Sequence, residues 1–294
     1  MNASEHRMNL GAGVASVTVA GVLVVLKFLA LTATGSLSIA ASLTDSALDL
    51  LVSSTGLLAI TYAARPPDRD HAFGHSSAED LMALAQALLV GGSGVFIGWS
   101  AVERLRGPAQ ELTSETAGIA VMLVSIVLTV ALIWWQRRVA RRTGSKVVSA
   151  DSLHYVGDLV PNIGALVALL ASRHLGMGRV DSIVALGAAA ILLLGAVRIG
   201  RAAWDALMDR GADPQLVHRV RGIVENWPGV HGHHDLKTRM AGTRVFIQVH
   251  IELDGRQSLA QAHDIGAALR RSIIRAVPNA EVIIHKDVAG RGPH

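Results

Sequence analysis

Cysteine is absent from this chain of 294 residues. Disulfides and thiolate metal sites are therefore excluded. Any metal must be held by His, Asp and Glu, donors that suit Zn, Fe, Mn or Co better than Cu(I). Charge is scarce too: Asp, Glu, Lys and Arg make up 17% of the residues, where a soluble domain carries about a quarter. Aromatics are few, and no Lys/Arg run interleaved with them offers a surface for nucleic acid. The net charge of +4 is modest, so basic residues serve topology at helix ends instead.

What the chain has in plenty is apolar length. Hydrophobic residues make up 51% of it, and they are unevenly placed. Long runs fill residues 1–208, whereas 209–294 reads like ordinary soluble protein. We therefore expect a six-helix transmembrane domain over 1–208 and a C-terminal cytoplasmic α+β domain over 209–294. The segment Met1 to Asn9 is short and polar, and the apolar stretch after it runs to about Ala33. That stretch is too long for a signal-peptide core and shows no cleavage site, so it reads as the first span.

Six segments are long enough to cross a bilayer: about 9–33, 38–63, 80–104, 115–136, 148–172 and 180–204. The second and fifth qualify only with polar residues embedded in them. The loops at 65–78 and 137–146 carry seven Lys/Arg against four on the opposite side, which places both loops and both termini in the cytoplasm. Gly94 and Gly98 in the third span stand in a GxxxG arrangement, which serves packing within one subunit or a dimer contact equally well.

Asp45 and Asp49 lie in the second span, and His154 and Asp158 in the fifth. An ionisable residue in hydrocarbon costs at least ~2.5–3.5 kcal/mol, so four of them need a reason. Each pair is spaced i, i+4 and projects from one helix face. If the two helices pack together, three carboxylates and one imidazole converge into a four-ligand set able to enclose a tetrahedral Zn²⁺. Helix-to-helix hydrogen bonding would explain one Asp. It does not explain two pairs with no Lys or Arg in either span's core, and unpaired carboxylates need a cation or protons. Metal binding would then expel protons, which makes metal/proton exchange the natural energy source.

Asp68, His71 and His75 in the 65–78 loop can form a three-ligand site that water or a fourth group completes; a solvated polar loop competes with this reading. Beyond Gly211 the chain holds eight of its thirteen His residues. The pattern there predicts a helix near 214–226 capped by Asp213, strands at 230–239 and 243–253, a helix at 258–276 and a strand at 281–287. The turn Ala241-Gly242-Thr243 joins the first two strands. His285 and Asp287 share a strand face, and His250 points away from the apolar set of its own strand. With His234 and His263 these residues can hold one or two metals, Asp287 bridging. His6, His174, His218, His231, His233 and His294 read as bystanders.

The elements TDSALD (44–49), DRDHAFGHSSAE (68–79), DSLHYVGD (151–158), HDLKTR (234–239) and VIIHKD (282–287) resemble the cation diffusion facilitators, above all their bacterial zinc/iron efflux branch. The resemblance runs from about residue 8 to 288 and implies a transport site at Asp45, Asp49, His154 and Asp158. It implies a loop site at Asp68, His71 and His75, and a cytoplasmic binuclear site at His234, His250, His263, His285 and Asp287. It also implies a homodimer in the bacterial inner membrane that exchanges Zn²⁺ (or Cd²⁺, Fe²⁺, Co²⁺) for protons by alternating access, with metallochaperone-like cytoplasmic domains. Close relatives carry a Lys where this chain has Ser77, and that Lys engages an acidic residue matched here by Asp209. A membrane-anchored metal sensor would need no site inside the bilayer. An intramembrane aspartyl hydrolase draws one Asp from each of two helices, whereas Asp45 and Asp49 share a helix, and no HExxH of a metalloprotease occurs.

Overall fold

The computed structural model describes residues 3–34, 37–106, 116–175 and 180–290. Of the connections expected around Thr32–Gly35, at 105–114 and near Gly176, residues 35, 107–114 and 176, like His294, lie outside the described residues. The chain divides into two compact units, with the break between Trp204 and Asp205.

The first unit is built of six long helices: α1 (Ala3–Thr34), α2 (Leu37–Ala63), α3 (Ser77–Arg106), α4 (Thr116–Thr143), α5 (Lys146–Leu175) and α6 (Val180–Leu207). Runs of Leu, Val, Ile and Ala give them apolar surface all round, and a helix satisfies its backbone groups internally, as lipid requires. Among the described residues, five windows are long and apolar enough to cross a membrane: Ser4–Ala33, Asp45–Ala63, Ser77–Glu103, Leu123–Thr143 and Ala185–Leu207. The remaining long helix, α5, carries Lys146, Asp151, His154 and Asp158, the residues that make its span conditional in the sequence.

That helix packs against α2, α3 and α4. Large apolar side chains such as Phe28, Leu51, Leu88, Phe96 and Leu194 stay exposed on the outside of this unit. Gly94 and Gly98 of α3 face α6 of the same chain. A Cβ on Gly94 would stand 3.2 Å from Leu193, and one on Gly98 3.4 Å from Ala189, so the GxxxG face lets α6 approach closely.

The second unit continues with α7 (Pro214–Glu225), β1 (Gly232–Ala241), β2 (Arg244–Leu253), α8 (Leu259–Ala276) and β3 (Ala280–Val288). Asp213 caps α7 by accepting from the Gln215 N–H, and Pro214 sits at the first turn, where no N–H is needed. Ser258 and Gln261 close a capping box on α8. β1 and β2 pair antiparallel through a two-residue turn, Gly242-Thr243, in which Gly242 takes φ +56°. α8 then carries the chain back, so that β3 pairs parallel with β2 and the sheet order is β1-β2-β3.

Val245, Ile247, Val249, Ile251 and Leu253 alternate along β2 and are all buried against Val220 and Val224 of α7 and Leu269 and Ile273 of α8. Each fully buried side chain of this kind contributes about 1.5–3 kcal/mol. The alternation has a second consequence: the polar residues of β2 face away from both helices.

Candidate metal centres

The packing of α2 against α5 brings Asp49, His154 and Asp158 together, with one donor atom from each lying within 4.8 Å of the others. His154 Nε2 is 3.1 Å from Asp49 Oδ1, and Asp49 itself is buried. Asp45 is not in this group and stands exposed. The helix explains why: a step of four residues keeps the same face but moves about 6 Å along the axis. The expected four-ligand convergence is thus a triad, with Asp45 one turn away.

Two further groups surround this triad that the spacing of acids and imidazoles did not disclose. Lys27 of α1 reaches across to α2, where its Nζ donates to Ser46 Oγ at 2.7 Å and to the Ser42 carbonyl at 3.1 Å. Among the described residues, the compensating cation is thus absent from α2 and α5 near the triad and comes from α1 instead. One turn from the triad lies a buried polar knot. Asp151 accepts from Ser16 Oγ and from Gln136 Nε2, both at 2.6 Å, and from Ser53 Oγ at 3.4 Å. Tyr155 Oη is 2.9 Å from Ser53 Oγ. Four helices meet there, and the only sequence signal was one more Asp in an apolar span.

Asp68, His71 and His75 also come within 4.8 Å of one another. The Asp68 carboxylate organises the loop by accepting from the backbone N–H of His71 at 2.7 Å and of Asp70 at 3.0 Å. The same carboxylate reaches His71 Nδ1 at 3.4 Å and His75 Nε2 at 3.2 Å. The His71 N–H holds its carboxyl below the usual range; burial opposes this, and Asp70 and the two imidazoles add to it. His75 is buried, with Tyr62 packed edge-on at 4.7 Å between ring centres. Ser77 opens α3. Asp209 accepts from Arg239 Nη1 at 3.2 Å.

In the C-terminal unit, strand register does the assembling. His234 pairs with His250, and His250 with His285, so three imidazoles form one row across the sheet. Ring centres are 5.1 and 4.5 Å apart. A bulge between His234 and Lys237, with Asp235 at φ +50°, ends the regular pairing just after His234.

Asp287 lies in the same polar cluster as this row. Its Oδ2 is 3.0 Å from His250 Nδ1 and 3.4 Å from His234 Nε2, while Oδ1 is 3.1 Å from His285 Nε2. Burial pushes its carboxyl up, but the His250 contact and the charges of His285, His250 and His234 outweigh this and hold it below the usual range. Glu252 adds a carboxylate unforeseen in the sequence, 3.3 Å from His234 Nδ1. His263 stands apart: it is exposed on α8, which packs on the apolar face of the sheet, opposite the imidazole row.

Comparison with known proteins gives this geometry its family. The model of the cation efflux transmembrane domain matches residues 13–208, and that of the cation efflux protein cytoplasmic domain matches 212–288. The chain is 39% identical over 287 residues to a cation-efflux pump FieF of Shigella flexneri, covering 98% of this chain and 95% of that one. It is 40% identical over the same length to the FieF pump of Klebsiella pneumoniae, with the same coverage.

Among solved structures, the metal-bound C-terminal domain of the CzcD transporter from Thermotoga maritima shares 29% identity over 27% of this chain and 93% of its own, with a TM-score of 0.26. A cytosolic domain of a cation diffusion facilitator family protein shares 28% over 26% of this chain and 93% of its own, with a TM-score of 0.25. With both domains matched and relatives aligned along nearly its whole length, this multi-pass membrane chain belongs to the cation diffusion facilitators, the family of divalent metal cation efflux transporters.

Proposed function

We propose that this protein exports Zn²⁺ from the cytoplasm in exchange for protons, working as a homodimer in a bacterial inner membrane with both termini inside. The single observation that carries this reading is the group Asp49, His154 and Asp158 on two packed helices of the membrane unit. Two carboxylates and one imidazole there form a hard–borderline set of the kind Zn²⁺ takes. Asp45, one turn along, is the fourth ligand in this reading and joins when a cation draws it in. Cd²⁺, Fe²⁺ and Co²⁺ accept similar donors.

Residues 1–208 then form the transport domain, and 209–294 a metal-binding and dimerising one. In the loop, Asp68, His71 and His75 hold a further ion. In the C-terminal domain, His234, His250, His285 and Asp287 hold one or two, the two oxygens of Asp287 being divided between imidazoles. We keep His263 as a ligand of this cluster only through an approach that the single chain does not make. Proton coupling rests on ligand chemistry, since carboxylates and imidazole must shed protons to bind a dication.

The test is zinc uptake into proteoliposomes with and without an imposed pH gradient, repeated for Cd²⁺, Fe²⁺, Co²⁺ and Mn²⁺. Gradient-driven uptake with zinc preferred is expected. A flux indifferent to the gradient removes proton exchange, and no flux of any metal from correctly inserted protein turns the reading toward a sensor.

A further inference from the structure

A lysine within a membrane span is expensive, and the usual remedy is for its long stem to carry the ammonium out to the interface. Lys27 lies in the span Ser4–Ala33 and does otherwise. Its Nζ turns onto α2 and is held by Ser46 Oγ at 2.7 Å and by the Ser42 carbonyl at 3.1 Å. Ser46 is buried and sits between Asp45 and Asp49 in sequence. Ser42 and Ser46 are one turn apart, so Lys27 binds α2 on a row beside the one that carries the two aspartates.

The manner of holding matters as much as the place. Among the described residues the ammonium is bonded to a hydroxyl and a backbone carbonyl, not to a carboxylate oxygen. Asp49, Asp45 and Asp158 feel its charge without giving up a donor atom to it. Lys27 therefore acts on the site through its charge, its own bonds going to Ser46 and Ser42.

Charge counting then gives the role. Three ionised carboxylates and a neutral imidazole around a divalent ion leave one negative charge uncompensated in the membrane. A lone charge there is costly, and it would also bind the dication more tightly than a carrier needs. One ammonium beside the site makes the loaded state neutral. Like charges also repel, so the same ammonium weakens the hold on the ion.

We propose that Lys27 is the resident counter-charge of the membrane metal site, a positioning residue whose fixed charge neutralises the loaded site and speeds release of the divalent ion. This rests on the reading of Asp45, Asp49, His154 and Asp158 as transport ligands, and the test separates the two ideas.

Zinc counterflow by the full-length protein in alkaline buffer, where protons compete little, gives KM and Vmax for Lys27→Met, Lys27→Gln, Lys27→Arg and Asp49→Ala. Loss of the charge should lower KM and Vmax together, each by about fivefold or more. Lys27→Arg should stay near wild type in both. Lys27→Gln must behave as Lys27→Met does, which covers the case in which Met is not tolerated. An unchanged or raised KM in the neutral variants overturns the proposal, and so does an Arg variant as impaired as the Met one. If Asp49→Ala transports like wild type, the ligand reading itself fails. If Asp49→Ala is inactive and the neutral Lys27 variants are normal, only the counter-charge fails.

Discussion

Replacing Asp151 by Ala removes the acceptor at the centre of the polar knot that joins α1, α2, α4 and α5. The cost can be worked from its partners. Ser16 loses its 2.6 Å bond to the carboxylate but keeps Ser53 at 2.8 Å, and Ser53 keeps Tyr155 at 2.9 Å. Gln136 Nε2 has no such second choice among its described bonds, so one buried amide is stranded. A stranded buried donor costs about 1–3 kcal/mol. Hydrogen bonds between membrane helices average only about 0.6 kcal/mol, because helices separated in lipid find other partners.

Removing a buried carboxylate also returns part of its desolvation cost. The net expectation for Asp151→Ala is therefore a loss of about 1–2 kcal/mol. Asp151→Asn keeps the volume and one acceptor and should stay within about 0.5 kcal/mol of wild type. Unfolding of the purified full-length chain by denaturing detergent measures both. Zinc flux should fall with stability in the Ala variant, because Asp151 and Ser53 each lie one turn from the 3.1 Å His154–Asp49 pair. An Ala variant as stable and active as wild type, or an Asn variant as damaged as the Ala one, would refute this account of the knot.

Lys146 Nζ lies 2.6 Å from Asp80, whose side chain is fully buried. Lys146→Ala removes the ammonium from this buried carboxylate and should destabilise the chain by about 2 kcal/mol in the same assay, and a loss below about 0.5 would contradict it. The Asp287 carboxyl is held below its ordinary range in the folded chain, so its contribution to stability is present above that range and disappears as pH falls through the lowered value. The stability difference between metal-free wild type and Asp287→Asn should accordingly shrink on acidification below the ordinary aspartate range, and a pH-independent difference would count against the carboxylate–imidazole contacts.

The C-terminal unit was legible almost element by element because its signals are local: a capping Asp before a Pro at α7, clean alternation along β2, and a glycine in the hairpin. Long apolar runs likewise announced the membrane helices. What strings of residues do not carry is the register between elements. Strand alternation put His285 and Asp287 on one face, but only pairing sets His234, His250 and His285 in a row and brings Glu252 to His234. The i, i+4 rule gave Asp45 and Asp49 the same face, yet could not tell that only Asp49 reaches His154. Lys27 escaped notice because its charge serves a helix other than its own. His263 was grouped with the cluster by residue type, whereas α8 lies across the sheet from it.

Transport through the membrane triad is tested most directly by comparing metal flux in two variants of the full-length protein, Asp49→Ala and Asp287→Ala, in the same proteoliposomes. Asp49→Ala is expected to reduce zinc flux to the background of empty vesicles, while Asp287→Ala retains measurable flux. Flux by Asp49→Ala close to that of wild type, from protein shown to be folded and inserted, would contradict that expectation.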